Sequence, residues 1–195
     1  MISLVETQLN LDLTTKTFSL RDKLFQKRAA AVSIASHNKH ELLGKRQQGG
    51  VFTGVMGSLT NTVVATGSDS TGLGRWNWIE LKGGPRSTFI ITAYQSVKSR
   101  RTVNTVYLQR ERYFKQHGET KCSRLLFIDH LVAFIRELRD SGHEVILAAD
   151  VNEHSVNGQL SAALQQLGMM ESYFRKFSVC GPASYIRGKE PIDGI

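Results

Sequence analysis

The chain has 195 residues, 41% of them apolar and 22% charged, a balance that suits an ordinary globular domain and excludes disordered and collagenous classes. At this length folding buries roughly 70% of the surface, so a core can form without metal or disulfide staples. Lys and Arg number 25 against 17 Asp and Glu, and the resulting charge of +8 favours polyanionic partners, nucleic acid among them.

Residues 1–13 carry Glu6 and Asp12 and no basic leader, and no apolar run approaches the roughly 18 residues of a membrane span. The expectation is an intracellular protein, cytoplasmic or nuclear, not secreted and without a membrane partner. The two cysteines, Cys122 and Cys180, form no CxxC, which argues against a zinc ribbon or a disulfide scaffold.

In chain order, residues 2–6 form a short apolar run ending on a carboxylate, which reads as a strand. Residues 13–47 are mixed and basic, with a β-like stretch at 30–35. From Gly49 onward, β-rich runs at 51–56, 62–66, 76–81 and 88–94 are separated by Gly and Ser clusters, as in an antiparallel sheet. Residues 82–86, Lys-Gly-Gly-Pro-Arg, read as the loop of a hairpin. Trp76, Trp78 and Glu80 alternate with Asn77, Ile79 and Leu81, so that strand has no clean polar face and is expected to be buried on both sides. Leu125, Ile128, Leu131, Val132, Ile135 and Leu138 recur at helical spacing, and Ser141-Gly142 ends that helix. A buried apolar strand at 145–149 then runs into Asp150, and Leu160, Ala163, Leu164 and Leu167 mark a short helix stopping at Gly168. Helix, strand and helix in succession signal an α/β chain.

Chemistry concentrates after that last strand. Residues two apart on a strand share a face, so Asp150 and Asn152 point the same way from a strand end, where α/β sheets commonly bind ligands. The carboxylate can bind metal or take a proton and the amide can donate to phosphate. The alternative is that Asp150 starts a turn or caps the helix near Asn157. The 67–74 loop, Gly-Ser-Asp-Ser-Thr-Gly-Leu-Gly, lacks the Lys-Ser/Thr ending of a P-loop and reads as a hairpin loop. His37 and His40 have spacing that can clasp zinc but no further ligands complete a set. They are expected at the surface, as are His117, His130, His143 and His154.

Several short motifs, taken together and in order, resemble the endonuclease/exonuclease/phosphatase superfamily of DNase I-like proteins. Leu4-Val5-Glu6-Thr7-Gln8-Leu9 resembles its metal-binding strand end, Ala93-Tyr94 its strand-terminal tyrosine, Leu147-Ala148-Ala149-Asp150-Val151-Asn152 its Asp-x-Asn motif with Ala149 where glycine is usual, and Pro191-Ile192-Asp193-Gly194-Ile195 its Ile-Asp strand. Gly49-Gly50-Val51 and Gly74-Arg75-Trp76-Asn77-Trp78 are similar to strands of retroelement-type members. The resemblance implies a single α/β domain over residues 1–195: two packed, mainly antiparallel sheets flanked by helices, a four-layer α/β/β/α sandwich, here incomplete. It implies that Glu6 is a metal ligand for Mg²⁺ or Mn²⁺, against the plain reading of an exposed carboxylate. It further implies that Asp150 aligns or deprotonates water, that Asn152 binds phosphate, that Tyr94 donates to the phosphate or simply packs, and that Asp193 orients a histidine.

The departures shape the expectation as well. The family's initial Asn-bearing strand and its closing Ser-Asp-His segment have no counterpart between Met1 and Ile195, and Val97 stands where an asparagine often follows the tyrosine. The resemblance therefore implies a truncated divalent-metal phosphodiesterase, a DNA endonuclease of retroelement type from a larger polyprotein, weak or inactive as given. Alternatives are a phosphatase or phosphodiesterase acting on inositol phosphate, lipid or RNA, and a non-catalytic nucleic-acid-binding module. Lys98, Arg100, Arg101, Arg110 and Arg112 would line a DNA groove in such a fold, or form a solvated helix surface.

Overall fold

Alternation of side chains along the early β-rich runs produces the structure's first sheet. A computed structural model describes residues 1–10, 20–25, 30–41, 47–99, 104–184, 189 and 191–194, and the chain divides into two compact units, Met1–Tyr94 with His143–Ile146, and Gln95–Gly142 with Leu147–Ile195.

The first unit contains β1 (Ile2–Val5), α1 (Leu20–Phe25), β2 (Ala31–Ser36), β3 (Val51–Met56), a 3-10 turn at Gly57–Thr62, β4 (Val63–Ser68), β5 (Trp76–Gly83) and β6 (Arg86–Tyr94). Strand β3 pairs antiparallel with β1 on one side and β2 on the other. Its period of two divides its labour. Phe52 faces α1, where Phe25 packs on it with ring centroids 6.3 Å apart and Ile2, Leu4, Leu20 and Leu24 close around them. On that same face a Cβ at Gly54 would lie 2.6 Å from the Phe25 ring, so only glycine admits the phenyl group there. Val55, on the opposite face, packs with Ile79 and Ile90 of the next sheet.

That next sheet runs β4-β5-β6 in antiparallel order, with the start of β7 (Glu144–Asp150) beside β6. Strand β5 is buried through Ile79 apart from a half-buried Trp78, as its lack of a polar face predicts. Between the two sheets lies a polar seam. The hydroxyl of Thr53 is 2.5 Å from Asn77 Oδ1 and 2.6 Å from Thr92 Oγ1, and Thr92 Oγ1 is 2.9 Å from the Ser3 hydroxyl. Asn77 Nδ2 donates to the carbonyls of Val51 and Ile34 at 3.1 and 3.2 Å. Thr53, Asn77 and Thr92 are wholly buried, so every one of these bonds replaces water.

The loop between β4 and β5 is built on a buried ion pair: Arg75 Nε and Nη2 donate to the two carboxylate oxygens of Asp69 at 2.6 and 2.8 Å. Thr71 adds its amide and hydroxyl to the same carboxylate at 3.1 and 2.7 Å. Burial alone would raise the Asp69 pKa, yet the Arg75 bonds and charge, with Thr71, leave it below the usual carboxylate value. The segment is therefore a structural loop, as expected. Its Gly74, at φ +64°, brings the chain against the backbone of His37, where a Cβ would come within 2.5 Å of His37 C. This close approach buries His37, contrary to the expected surface position, while His40 stays exposed with Nε2 2.7 Å from the Thr71 carbonyl.

The second unit contains α2 (Val106–Gln116), α3 (Ser123–Asp140), the rest of β7, α4 (Gln159–Gln165), α5 (Ser172–Phe177) and β8 (Asp193–Gly194). The Thr105 hydroxyl caps α2 by accepting from Leu108 N at 3.3 Å, and Glu111 on α2 accepts from Ser123 N at the start of α3 at 2.5 Å. Phe114 and His130 meet edge-to-face between these helices. The buried stripe of α3 differs from the expected one at its start: Phe127 is buried and Leu125 is exposed. Strand β7 is not buried throughout, because Ile146 is 41% exposed while Leu147 and Ala149 are buried. Strand β8 pairs antiparallel with β7, setting Asp150 opposite Asp193.

Candidate active site

In the first unit, β1 ends at Val5 and the next residue, Glu6, takes a left-handed backbone with φ +50°. Thr7 N and Gln8 N still bond the carbonyls of Gly50 and Gly49, so the turn at Glu6 is a bulge in a continuing pairing, a device that re-aims a side chain. The Glu6 carboxylate is exposed and accepts a short hydrogen bond from the hydroxyl of Tyr94, the last residue of β6. These residues are 88 positions apart in sequence. Tyr94 itself is buried, so its hydroxyl holds the exposed Glu6 carboxylate from a fixed position.

In the second unit, Asp150 closes β7 and Asn152 sits at φ +47°. Asp150 Oδ1 accepts from Asn152 N at 3.2 Å, an Asx turn. The turn alternative for Asp150 is therefore real, and it coexists with the strand-end position. The Asn152 amide donates to the Gln95 carbonyl at 2.8 Å, and Gln95 N donates to the Asp150 carbonyl at 2.9 Å.

Arg124, in the first turn of α3, completes the arrangement. Its guanidinium donates to the Ser96 carbonyl at 2.5 Å and the Asn152 carbonyl at 3.4 Å, and Nη2 lies 3.7 Å from Glu153 Oε2. Gln95 Nε2 returns a bond to the Arg124 carbonyl at 3.2 Å. Three segments, 95–96, 124 and 152–153, are thus tied into one ring of hydrogen bonds. Buried Gln95 Oε1 has no donor among the described residues, an acceptor of the kind that ordered water satisfies.

Sequence reasoning named Asp150 and Asn152 here and missed Gln95, Ser96, Arg124 and Glu153. Most of their bonds run to main-chain carbonyls, which leave no residue signature. The only available signal was a glutamine directly after an apolar strand, and an arginine opening an apolar helix. His154 uses Nδ1 to accept from Val156 N and Asn157 N at 3.1 and 3.2 Å, which assigns the ring proton to Nε2. Asp193 is exposed, and its amide donates to Ser184 Oγ at 3.2 Å.

The basic residues divide. Lys98 and Arg112 are exposed, and Arg112 bonds Asn104 Oδ1. Arg110 is 2% exposed, an interior side chain that offers no guanidinium to a phosphate in solvent, which corrects its expected place in a groove. Arg100 and Arg101 lie outside the described residues.

The donor set bears on which metal could be held. No group of three or more His, Cys, Asp or Glu side chains capable of holding a metal occurs among the described residues. A closed zinc-type site of such ligands is therefore not formed among those residues. One Tyr94 bond leaves the Glu6 carboxylate with further acceptor capacity.

No protein-family model matches the chain, and no curated protein matches it. Among solved structures, the chain is similar to the human Nocturnin catalytic domain with bound sulfate anion, with a TM-score of 0.57, 12% identity, and coverage of 98% of this chain and 66% of that one. Staphylococcus aureus beta toxin has a TM-score of 0.33 with 6% identity over 60% of this chain and 38% of its own. Sphingomyelinase C from Streptomyces griseocarneus has a TM-score of 0.33 with 15% identity over 68% of this chain and 42% of its own. The first likeness shows the fold: an α/β chain of the DNase I-like class, two β-sheets with flanking helices. This chain spans 66% of the length of that Nocturnin domain.

Proposed function

We propose that the protein is a divalent-metal-dependent phosphodiester hydrolase acting on nucleic acid, with DNA as the substrate and the retroelement-type endonucleases as its nearest functional class. The observation that carries this reading is the Glu6–Tyr94 pair: an exposed carboxylate, re-aimed by a bulge at a strand end, held by a buried tyrosine hydroxyl. The resemblance assigned those two residues to one catalytic apparatus, and the DNase I-like fold class agrees with that assignment.

In this reading Glu6 would hold Mg²⁺ or Mn²⁺, and the ion would supply charge neutralisation at the phosphate. Tyr94 fixes the Glu6 carboxylate through its hydroxyl. Asp150 orients the attacking water and accepts its proton. The Asn152 amide has a second N–H besides the one given to Gln95, and that N–H donates to a phosphate oxygen. Asp193, opposite Asp150 in the ladder, adds negative charge at the same strand end.

Nicking of supercoiled plasmid in Mg²⁺ and in Mn²⁺ tests the proposal, with EDTA as control. The expected result is metal-dependent nicking that falls at least about a hundredfold in Glu6→Gln and in Asp150→Ala. Nicking that survives both substitutions overturns the assignment. Phosphate release from inositol phosphates or hydrolysis of sphingomyelin without nicking moves the substrate to those classes.

A further inference from the structure

Helix α5 presents two aromatic rings to solvent in a way that neither the fold nor the proposed hydrolytic site uses. Tyr173 is 40% and Phe177 is 51% exposed, and the pair sits one helical turn apart with centroids 4.6 Å apart and planes inclined at 47°. Arg175 and Lys176 lie between them in the chain and are exposed, and Lys176 Nζ stands 5.2 Å from the Phe177 ring centroid. The acidic residue of this segment is spent. Glu171 caps the helix, its two carboxylate oxygens accepting from Tyr173 N at 3.1 Å and Phe174 N at 2.6 Å. What remains is a pair of exposed aromatic rings with two exposed cations between them in sequence, on a chain of net charge +8.

We propose that this α5 surface is a stacking platform for single-stranded nucleic acid, with bases against Tyr173 and Phe177 and phosphates against Arg175 and Lys176. Every base has a π-face, so exposed aromatics interleaved with cations recognise a single strand without reading its sequence. A protein partner is a poorer fit, because lysine is depleted from the apolar centres of protein interfaces and here cations interrupt the apolar residues. A lipid surface is poorer too: membrane-surface helices bind in proportion to the apolar area they bury, and α5 has six residues. The surface goes beyond the hydrolase reading and does not depend on it.

Fluorescence anisotropy with labelled oligothymidylate and oligouridylate of about 20 nucleotides, in EDTA at about 50 mM salt, tests the platform without requiring hydrolysis. The expected result is binding of a single strand more tightly than of a duplex of equal length, the tighter of the two oligomers identifying DNA or RNA as the source. Tyr173→Ala/Phe177→Ala weakens that binding at least about tenfold with an unchanged salt slope, and Tyr173→Phe/Phe177→Trp retains it. Arg175→Gln/Lys176→Gln reduces the magnitude of the salt slope by about 1.4, from about 0.7 per phosphate contact. Thermal melting of each variant excludes unfolding as the cause, the altered side chains being exposed. Single-strand binding indifferent to the aromatic double substitution overturns the proposal. So does aromatic-dependent binding to phosphatidylserine vesicles, or aromatic-dependent self-association, in the absence of oligonucleotide binding. Loss of plasmid nicking with this binding intact refutes only the hydrolase reading.

Discussion

Two candidate functional residues, Glu6 in the first unit and Asn152 in the second, adopt left-handed backbone that non-glycine residues rarely take. Such outliers persist where surrounding bonds over-determine them, and at Asn152 those bonds are visible: the Asp150 carboxylate on its amide, Gln95 on its side chain, Arg124 on its carbonyl. This gives an ordering that separates strain from bonding. Asn152→Gly keeps the backbone and loses the side-chain bond, a cost of about 1 kcal/mol. Asn152→Ala loses the same bond and keeps a Cβ in left-handed space, a strain of about 1–2 kcal/mol that the glycine variant is spared. The urea midpoint of the alanine variant should therefore lie below that of the glycine variant, and an alanine variant as stable as the glycine one would remove the strain argument. The same residues show what sequence could reveal. Asp150 and Asn152 stood out because a short polar motif after an apolar strand marks a strand end. Gln95 and Arg124 did not, because their partners are carbonyls that any residue possesses.

Elements whose side chains alternate against two environments were the most legible. Strand β3 was read as residues 51–56 and spans Val51–Met56, because its in-out period is dictated by Phe52 on one side and Val55 on the other. Helix α2 is legible only as the solvated-helix alternative for Arg110 and Arg112, because Arg110, Glu111, Arg112 and Lys115 crowd its 11 residues, and because burying Arg110 and Gln109 breaks the rule that a helix hides its apolar side. The β3 strand also carries a testable seam. Thr53→Val removes the hydroxyl that faces Asn77 Oδ1 and Thr92 Oγ1 while keeping the volume nearly constant. It should cost about 1–3 kcal/mol in urea unfolding, the penalty for a buried acceptor left without a donor. A neutral result would mean that the Asn77 amide is satisfied by other groups.

The β4–β5 loop makes a pH prediction whose sign can be inverted by one substitution. Asp69 has a folded pKa below the ordinary value of 3.8, so it contributes stability that is fully present above that value and is lost as pH falls through the folded pKa. Arg75→Met strips away the guanidinium and leaves a buried, uncompensated carboxylate, a loss of about 3–5 kcal/mol at neutral pH. Desolvation then dominates and raises the Asp69 pKa above its unfolded value. Protonation consequently favours the folded variant, whose deficit against wild type should narrow as pH falls from neutrality towards 4. Urea unfolding of both proteins between about pH 4 and 7 measures this. A deficit that is constant with pH would show that Asp69 is already satisfied without Arg75.

At the scale of the whole molecule, metal binding should be readable as stability, independent of catalysis. A ligand that binds only the folded chain stabilises it by about 2.7 kcal/mol at a hundredfold excess over its dissociation constant. For a chain of this size that corresponds to a rise in melting temperature of roughly 5–10 °C. The chain consists of two compact units, so the rise belongs to whichever transition unfolds the Met1–Tyr94 unit that carries Glu6. If the units melt as one, the whole transition moves. If they melt apart, only that one does, and hydrogen exchange at Val55 and Ile79, two wholly buried residues of that unit, should slow in parallel. Glu6→Gln keeps the Tyr94 bond partner but removes the charge, and should abolish the Mn²⁺-induced rise while leaving the metal-free melting temperature nearly unchanged, since Glu6 is exposed. An undiminished rise in Glu6→Gln would place the cation elsewhere, and a chain that melts identically with and without Mg²⁺ or Mn²⁺ at millimolar excess would deny Glu6 its role as a ligand.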